Sequence, residues 1–247
     1  MIDLHCHMLP GVDDGAAAEE EALLMAQVAV DSGVTDVALT PHCNVPEQFD
    51  NYNDHRLRER FRRFEQLVRQ EGIPPTLHRG MEVFATPELP RLLDDGALLT
   101  LGRSRYLLVE FAFGESAWFV DDILHRIRQR GLTPVVAHPE RYYFIQDEPR
   151  HLLHWVNDGY VLQLNKGSFF GMFGRHAAQA AHWCLDCGCL HLIGSDAHSP
   201  YRRTPRLNDV YDLVAETVSS ETARLLLHDN PAAILSGGDI YPAMAQF

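Results

Sequence analysis

Seven times along this 247-residue chain an apolar run gives way to a side chain that can bind a metal, a proton or a polar ligand: at His7, His42, Glu82, Glu110, His138, Asn165 and Asp196. Successive positions lie 27 to 40 residues apart, room for one strand, one helix and two loops per step. That period predicts an α/β chain with a parallel sheet and its chemistry at the carboxyl ends of the strands, as in a seven-stranded β/α barrel. A doubly wound open sheet has the same alternation of elements. It brings ligands together only where its strand order reverses, whereas a closed ring lets residues from nearly every strand converge. No linker, low-complexity tract or shift of composition divides the sequence, so residues 1–247 are expected to form a single domain.

The chain opens Met1-Ile-Asp-Leu-His-Cys-His7. Side chains two apart on a strand point the same way, so His5 and His7 leave the strand end aimed at one place. Later strand ends add Asp14 in the following loop, then His42, Glu82, Glu110, His138, Asp196 and His198. These nine imidazoles and carboxylates are too many for one ion and suit two or three. Mixed nitrogen and oxygen donors favour Mn, Fe or Zn over Mg or Ca. Glu110, inside Leu-Leu-Val-Glu-Phe, needs a partner in any case, because a bare buried carboxylate is prohibitively costly.

Other classes are disfavoured. A formal charge of −13 argues against a nucleic-acid-binding surface. No run approaches the roughly 18 apolar residues of a membrane span, and no export signal is seen, so a cytoplasmic location is expected. The five cysteines, Cys6, Cys43, Cys184, Cys187 and Cys189, then read as free thiols. Cys184-Leu-Asp-Cys187-Gly-Cys189 resembles half a zinc knuckle without its other half, and a helix end entering a buried strand accounts for it better. None of the five is followed six positions later by arginine, so a cysteinyl-phosphate mechanism is not expected.

Between these points the pattern predicts a helix bearing Leu57, Phe61, Phe64 and Val68 on one face, a polar surface loop over 43–53, and a third strand over 77–83. It also predicts a glycine- and phenylalanine-rich loop from Gly167 to Gly174 and helical stretches near 207–227 and 231–235.

The segments His5-Cys-His7, Thr40-Pro-His42, Gly80-Met-Glu82, Glu110, His138-Pro-Glu-Arg141 and Ser195-Asp-Ala-His198 resemble the motifs of the polymerase and histidinol phosphatase superfamily. The opening Asp-Leu-His-Cys-His-Met-Leu-Pro-Gly-Val-Asp-Asp-Gly, with Arg141 and Arg203, is similar to one branch of it: the manganese-dependent bacterial protein-tyrosine phosphatases encoded with capsular and exopolysaccharide genes. The resemblance runs from Met1 to Asp229-Asn-Pro231. It implies a distorted seven-stranded barrel with three metals. His5, His7, Glu82 and Asp196 would hold the first, and Glu82 would bridge to a second held by Glu110 and His138. Asp14, His42 and His198 would surround the third. Two departures, Cys6 where serine is common and Pro139 beside His138, remove no ligand.

On that reading a metal lowers the pKa of a bound water to near 7 and supplies a hydroxide nucleophile without a thiol. Arg141 and Arg203 would clamp the phosphate through forked donors. The implied partner is a phosphotyrosine protein, the tail of a bacterial tyrosine kinase, and the resemblance also implies a homo-oligomer. Alternatives are a histidinol-phosphate or other small-molecule phosphatase, an exonuclease, and a non-catalytic relative whose metals only brace the fold.

Overall fold

The computed structural model describes residues 1–242, in which ten strands form two sheets. The first holds β1 (Ile2–Cys6), β2 (Asp36–Leu39) and β5 (Thr76–Arg79) in the order β1-β2-β5, all parallel. The second comprises β3 (His42–Val45), β4 (Phe49–Asp50), β6 (Glu82–Phe84), β7 (Tyr106–Glu110), β8 (Thr133–Ala137), β9 (Val161–Asn165) and β10 (Leu192–Gly194). Its order is β10-β9-β8-β7-β6-β3-β4, parallel except for the antiparallel pair β3/β4.

The expected ring of seven parallel strands is therefore drawn differently. The ladders form two sheets, one of them mixed, and neither closes on itself. The breaks have local causes. Pro41, between β2 and β3, has no N–H for a ladder. Beside it the expected strand 77–83 divides into β5 and β6 at Gly80, where a Cβ would lie 3.0 Å from Leu101 and 3.2 Å from Thr40. Backbone bonds carry the two ladders up to this seam from either side, from Gly80 N to Leu39 O (3.0 Å) after β2/β5 and from Glu82 N to Pro41 O (3.1 Å) before β3/β6. At the other seam an isolated bridge pairs Cys6 with Ala197, where Asp196 N donates to His5 O (2.8 Å) and His7 N to Ala197 O (2.9 Å).

Alternation along the strands sorts the core into two clusters. Leu4, Ala38, Leu108, Val135, Val161 and Leu192, from strands of both sheets, meet in a smaller cluster with Ile234. Their neighbours Leu39, Leu107, Val109, Val136, Leu162 and Ile193 face the other way, into the large cluster shared with the helices. Of these, α1 (Glu19–Asp31) and α2 (His55–Gln70) matter most below. α2 starts where the Asp54 side chain accepts from Leu57 N, and it buries Leu57, Phe61, Phe64 and Val68, the face expected from the sequence.

Three local expectations change. A short helix, Lys166–Phe169, takes the start of the loop expected from Gly167 to Gly174. Residues 43–53 are not a plain surface loop, because β3 and β4 form a short hairpin turned through the left-handed residues Asn44 and Glu47. The stretch near 207–227 is interrupted: helices Asn208–Thr217 and Ser220–Arg224 are separated at Val218, and a π-turn, Leu225–Asp229, leads into the last helix, Asn230–Ser236.

Candidate metal centre

His5 and His7 both leave the end of β1 on the same side, and their Nε2 atoms stand 3.2 Å apart in a fully buried position. The opposite nitrogen of each ring is already engaged. His5 Nδ1 lies 2.7 Å from Gln163 Oε1, and His7 Nδ1 lies 2.8 Å from Asp13 Oδ2. Amide and carboxylate oxygens only accept, so each Nδ1 carries the hydrogen and a neutral ring turns its Nε2 lone pair inward. Two lone pairs facing each other at that distance need a cation between or beside them. Two buried carboxylates complete the group: Glu82 oxygens lie 3.1 Å from His5 Nε2 and 3.2 Å from His7 Nε2, and Asp196 Oδ1 lies 3.4 Å and 3.5 Å from the same atoms. Burial opposes protonation of both histidines, yet the surrounding carboxylates outweigh it and raise their pKa values. The pocket is built for positive charge.

A second group surrounds the other side of Glu82. His42 Nδ1 lies 3.0 Å from Glu82 Oε2 and 3.0 Å from Glu110 Oε1, while His138 Nε2 lies 2.9 Å from Glu82 Oε1 and 3.7 Å from Glu110 Oε2. His42 Nδ1 and Glu82 Oε2 are buried and close, but neither makes a hydrogen bond of good geometry, so both point at a shared third partner. A third group opens outward, with Asp14 Oδ1 3.3 Å from His198 Nε2 and 3.5 Å from His42 Nε2, alongside His7. His42 thus serves two groups through its two nitrogens. In each of three groups, His5/His7/Glu82/Asp196, His42/Glu82/Glu110 and His7/Asp14/His42/His198, the donor atoms lie within 4.8 Å of one another and could hold one ion.

All nine residues expected from the sequence are brought together here, although His138 approaches the second group only by the two contacts above. The backbone is shaped for the purpose. His138 (φ 36°) and Asp196 (φ 48°) adopt left-handed conformations that are uncommon outside glycine. The loop after β1 folds back over its end because Gly15 has no side chain: a Cβ there would stand 2.0 Å from His7 O. That crossing delivers Asp13 to His7 and to His42 N, and Asp14 to the outer group.

Asp196 divides its labour. Oδ1 faces the histidines, while Oδ2 accepts from Asn165 Nδ2 (2.5 Å), pairs with Arg203 Nη2 and lies 3.5 Å from Arg141 Nη1. Arg141 is stacked by rings, its guanidinium carbon 4.3 Å from the centre of Phe113 and 4.2 Å from that of Phe173, and Arg203 approaches Phe173 at 5.6 Å. Both arginines therefore stand one carboxylate away from the histidines.

Sequence reasoning placed Asn165 at a strand end without a role and missed Gln163, which in Val-Leu-Gln-Leu-Asn carried the same signal as Glu110, a polar side chain in a buried strand. Glu140, fully buried, accepts from Asn165 N (3.0 Å) and Ser168 Oγ (2.6 Å), bracing the turn after β9. The cysteines contribute no nucleophile near the centre. Burial pushes the Cys43 thiol up to about 12 and Cys6 well above its ordinary value. Among the described residues no group of metal donors includes Cys184, Cys187 or Cys189.

An α/β fold that gathers imidazoles and carboxylates from both sheets into three adjoining donor groups, with two arginines at their edge, defines a metal-centre protein with a place for an anion. The chain belongs to the CpsB/CapC family of capsular polysaccharide synthesis, whose model matches residues 1–236. It is 29% identical over 241 residues to the tyrosine-protein phosphatase YwqE of Bacillus subtilis, covering 98% of this chain and 94% of YwqE. To the tyrosine-protein phosphatase CpsB of Streptococcus pneumoniae it is 27% identical over 245 residues, covering 95% and 98%. Among solved structures it is similar to a chain from the crystal structures of YwqE and CpsB, described as unique metal-dependent tyrosine phosphatases, with a TM-score of 0.90 and 29% identity over 98% of this chain and 97% of that one. A lactonase, Lmo2620 of Listeria monocytogenes, shares the fold at a TM-score of 0.63 and 11% identity, covering 96% and 95%.

Proposed function

We propose that this protein is a metal-dependent phosphomonoester hydrolase acting on phosphotyrosine in proteins, in the control of capsular or exopolysaccharide synthesis. The observation that carries the reading is Asp196, whose inner oxygen faces the metal-type histidines while its outer oxygen holds Arg141 and Arg203. A phosphate seated against those arginines lies beside the donor groups.

His5, His7, Glu82 and Asp196 would hold one divalent ion, Glu82, Glu110 and His138 with His42 a second, and Asp14, His42 and His198 a third. Two or three ions of Mn, or of Fe or Zn, fit this donor chemistry. When bound they would supply Lewis acidity toward water and the phosphate oxygens. The chain's own part is positional. Gln163 and Asp13 fix the tautomers of His5 and His7, so the inward nitrogens stay free to coordinate. Phe113 and Phe173 cover the faces of Arg141, leaving its edge donors for phosphate oxygens. A phenolate, with a tyrosine pKa of about 10, leaves more readily than a serine alkoxide, which lessens the demand for a protonating group.

We further infer that the two sheets are halves of one distorted seven-stranded barrel in a single domain. The bonds crossing the seam between His5 to His7 and Asp196 to Ala197, the ladders that run up to the other seam from both sides, and the inner cluster drawn from both sheets support this. The physiological substrate on this reading is the tail of a bacterial tyrosine kinase, met in the cytoplasm, where free thiols such as the five here persist. No described helix is long and apolar enough to cross a membrane.

The test compares phosphotyrosyl peptide, histidinol phosphate and single-stranded DNA as substrates of one preparation, before and after chelation and after return of Mn. Turnover of the peptide should dominate, vanish on chelation and return with metal. Full activity in metal-free protein, or preference for histidinol phosphate, overturns the assignment.

A further inference from the structure

Beside the metal centre lies an arginine-lined cleft that the reaction as described does not use. A cavity of about 580 Å³ opens between the loop after β1 and the first half of α2, and its charged lining is Arg56, Arg60 and Arg63 with Glu19 and Glu59. A second, of about 200 Å³, is also lined by Gly11, Arg56 and Arg60 and extends to Phe49 and Asp50 of the hairpin. Arg56 and Arg60, one helical turn apart, thus share one face of α2 and both cavities.

These two cations differ from their neighbours. Arg62 pairs with Glu59, Arg63 Nε lies 2.8 Å from Glu19, and Arg58 donates to Asn53 Oδ1 and O. Asp54 is occupied as the cap of α2. Arg56 and Arg60 have no carboxylate partner among the described residues, and Arg60 reaches only Pro10 O at 3.5 Å. Like charges four residues apart on a helix repel, and here they stand unpaired in a chain of formal charge −13. Four carboxylates also line the two cavities, but Glu19, Glu59 and Asp54 are engaged by Arg63, Arg62 and Leu57 N, which leaves Asp50, on the hairpin side, to direct an anion toward the Gly11 end.

The cleft is joined to the centre through the chain that forms its wall. Its wall, Gly11 and Val12, begins the loop that carries Asp13 and Asp14, and a Cβ on Gly11 would lie 3.6 Å from Arg60 Nη1. Asn51 Nδ2 ties Val12 O (2.9 Å) to His42 O (2.8 Å), and the Phe49 ring stacks on His42 with centroids 5.6 Å apart. From Gly11 to Asp14 the backbone spans at most roughly 11 Å, the reach of about three extended residues.

We propose that Arg56 and Arg60 form a second anion station for the peptide substrate, taking an acidic or phosphorylated side chain about three to five residues from the reacting phosphotyrosine. This rests on the phosphatase reading above and adds a determinant of which phosphotyrosines are chosen. The metal centre and its arginines recognise the phosphotyrosine, and the cleft recognises its neighbourhood.

The experiment uses the full, Mn-loaded chain and two phosphotyrosyl peptides of equal length, one with glutamates three to five positions away on both sides and one with serines there. Binding of the corresponding unphosphorylated peptides is followed in parallel by fluorescence anisotropy, which needs no turnover. We expect the acidic peptide to be preferred in kcat/KM. Arg56→Ala/Arg60→Ala should remove about 5- to 10-fold of that preference, through KM and through anisotropy, and leave the serine peptide unaffected. Arg56→Lys/Arg60→Lys should restore part of it, and thermal melts should show both variants folded. Equal loss on both peptides, or no loss on either, overturns the proposal. Arginine-dependent binding of an anionic oligosaccharide, with no dependence on peptide flanks, also overturns it. If the wild type hydrolyses neither peptide, the phosphatase reading fails instead, and the anisotropy series still decides whether the arginines hold an acidic segment.

Discussion

The inner and outer donor groups of the metal centre use the same residue types but are built differently. His5, His7, Glu82 and Asp196 are all essentially buried, and three of them are held from behind by Gln163, Asp13 and Asn165. In the outer group the Asp14 side chain is 57% exposed, and among the described residues its carboxylate pairs with His42 and His198 alone. A ligand that is already oriented loses little freedom when it binds an ion, whereas one on an open loop must be ordered by it. The inner group should therefore bind first and exchange slowly, and the outer ion should be the labile one.

The sharpest way to break this contrast is Glu82, whose two oxygens face His5, His7, His42 and His138 together. Glu82→Ala should cost the inner ion and its neighbour. With several kcal/mol of charge stabilisation lost, turnover should fall by about a thousandfold or more. Elemental analysis should find at most one ion left, and retention of a full complement would refute the bridging role. Asp14→Ala sharpens the contrast from the outside. Turnover should fall by roughly a hundredfold, one ion should be lost, and excess Mn should recover part of the activity. If the inner ions leave as readily, the two groups are not distinct.

Gln163→Leu tests whether the support behind a ligand matters as much as the ligand. The variant keeps every metal donor but leaves His5 Nδ1 without its acceptor, so either tautomer becomes available. Metal affinity or activity should drop by about 10- to 100-fold, the range found when such supporting partners are removed. An unchanged metal titration would show that burial alone orients His5. Smaller again is Phe173→Leu, which uncovers one face of Arg141 and loosens Arg203. We expect KM for phosphotyrosyl peptide to rise several-fold with metal content intact. Loss of metal would instead make Phe173 a prop for the centre.

How much of this was legible in the sequence follows the same division. The donors could be read because each follows an apolar run, and a strand end is a place that periodicity locates. The parallel α/β architecture followed from the same spacing. The seams could not be read, since Pro41 and Gly80 interrupt ladders through partners distant in sequence. The hairpin from His42 to Asp50 was hidden by Pro46 and by polar residues whose role is to turn the chain through positive φ at Asn44 and Glu47. Nor could sequence pair Gln163 with His5 or Asp13 with His7, because a supporting hydrogen bond leaves no local pattern.

A buried histidine outside the centre gives the mildest test and separates burial from charge. His191 is only 4% exposed, like the ligands, but no carboxylate opposes its burial, which lowers its pKa to about 4 from an ordinary 6.5. His42, where burial also opposes protonation but Glu82 and Glu110 outweigh it, is raised to about 10. Same residue type, opposite direction: the carboxylates decide the sign. His191 stays neutral in the fold, its Nδ1 accepting from Leu162 N at 3.1 Å, whereas the unfolded chain takes up a proton below about pH 6.5. Its contribution to stability is thus intact above about pH 6.5 and is lost as the pH falls toward 4, on the order of 3 kcal/mol in all for a shift of this size. His191→Asn keeps an acceptor for Leu162 N but cannot be protonated there. Denaturant unfolding at pH 8 and pH 5 should show the wild type losing more stability than the variant, by more than half of that amount, with little change in phosphatase activity at neutral pH. Parallel losses in the two proteins would mean that His191 finds a counter-charge in acid, and that burial without carboxylates is not what distinguishes it from the histidines of the centre.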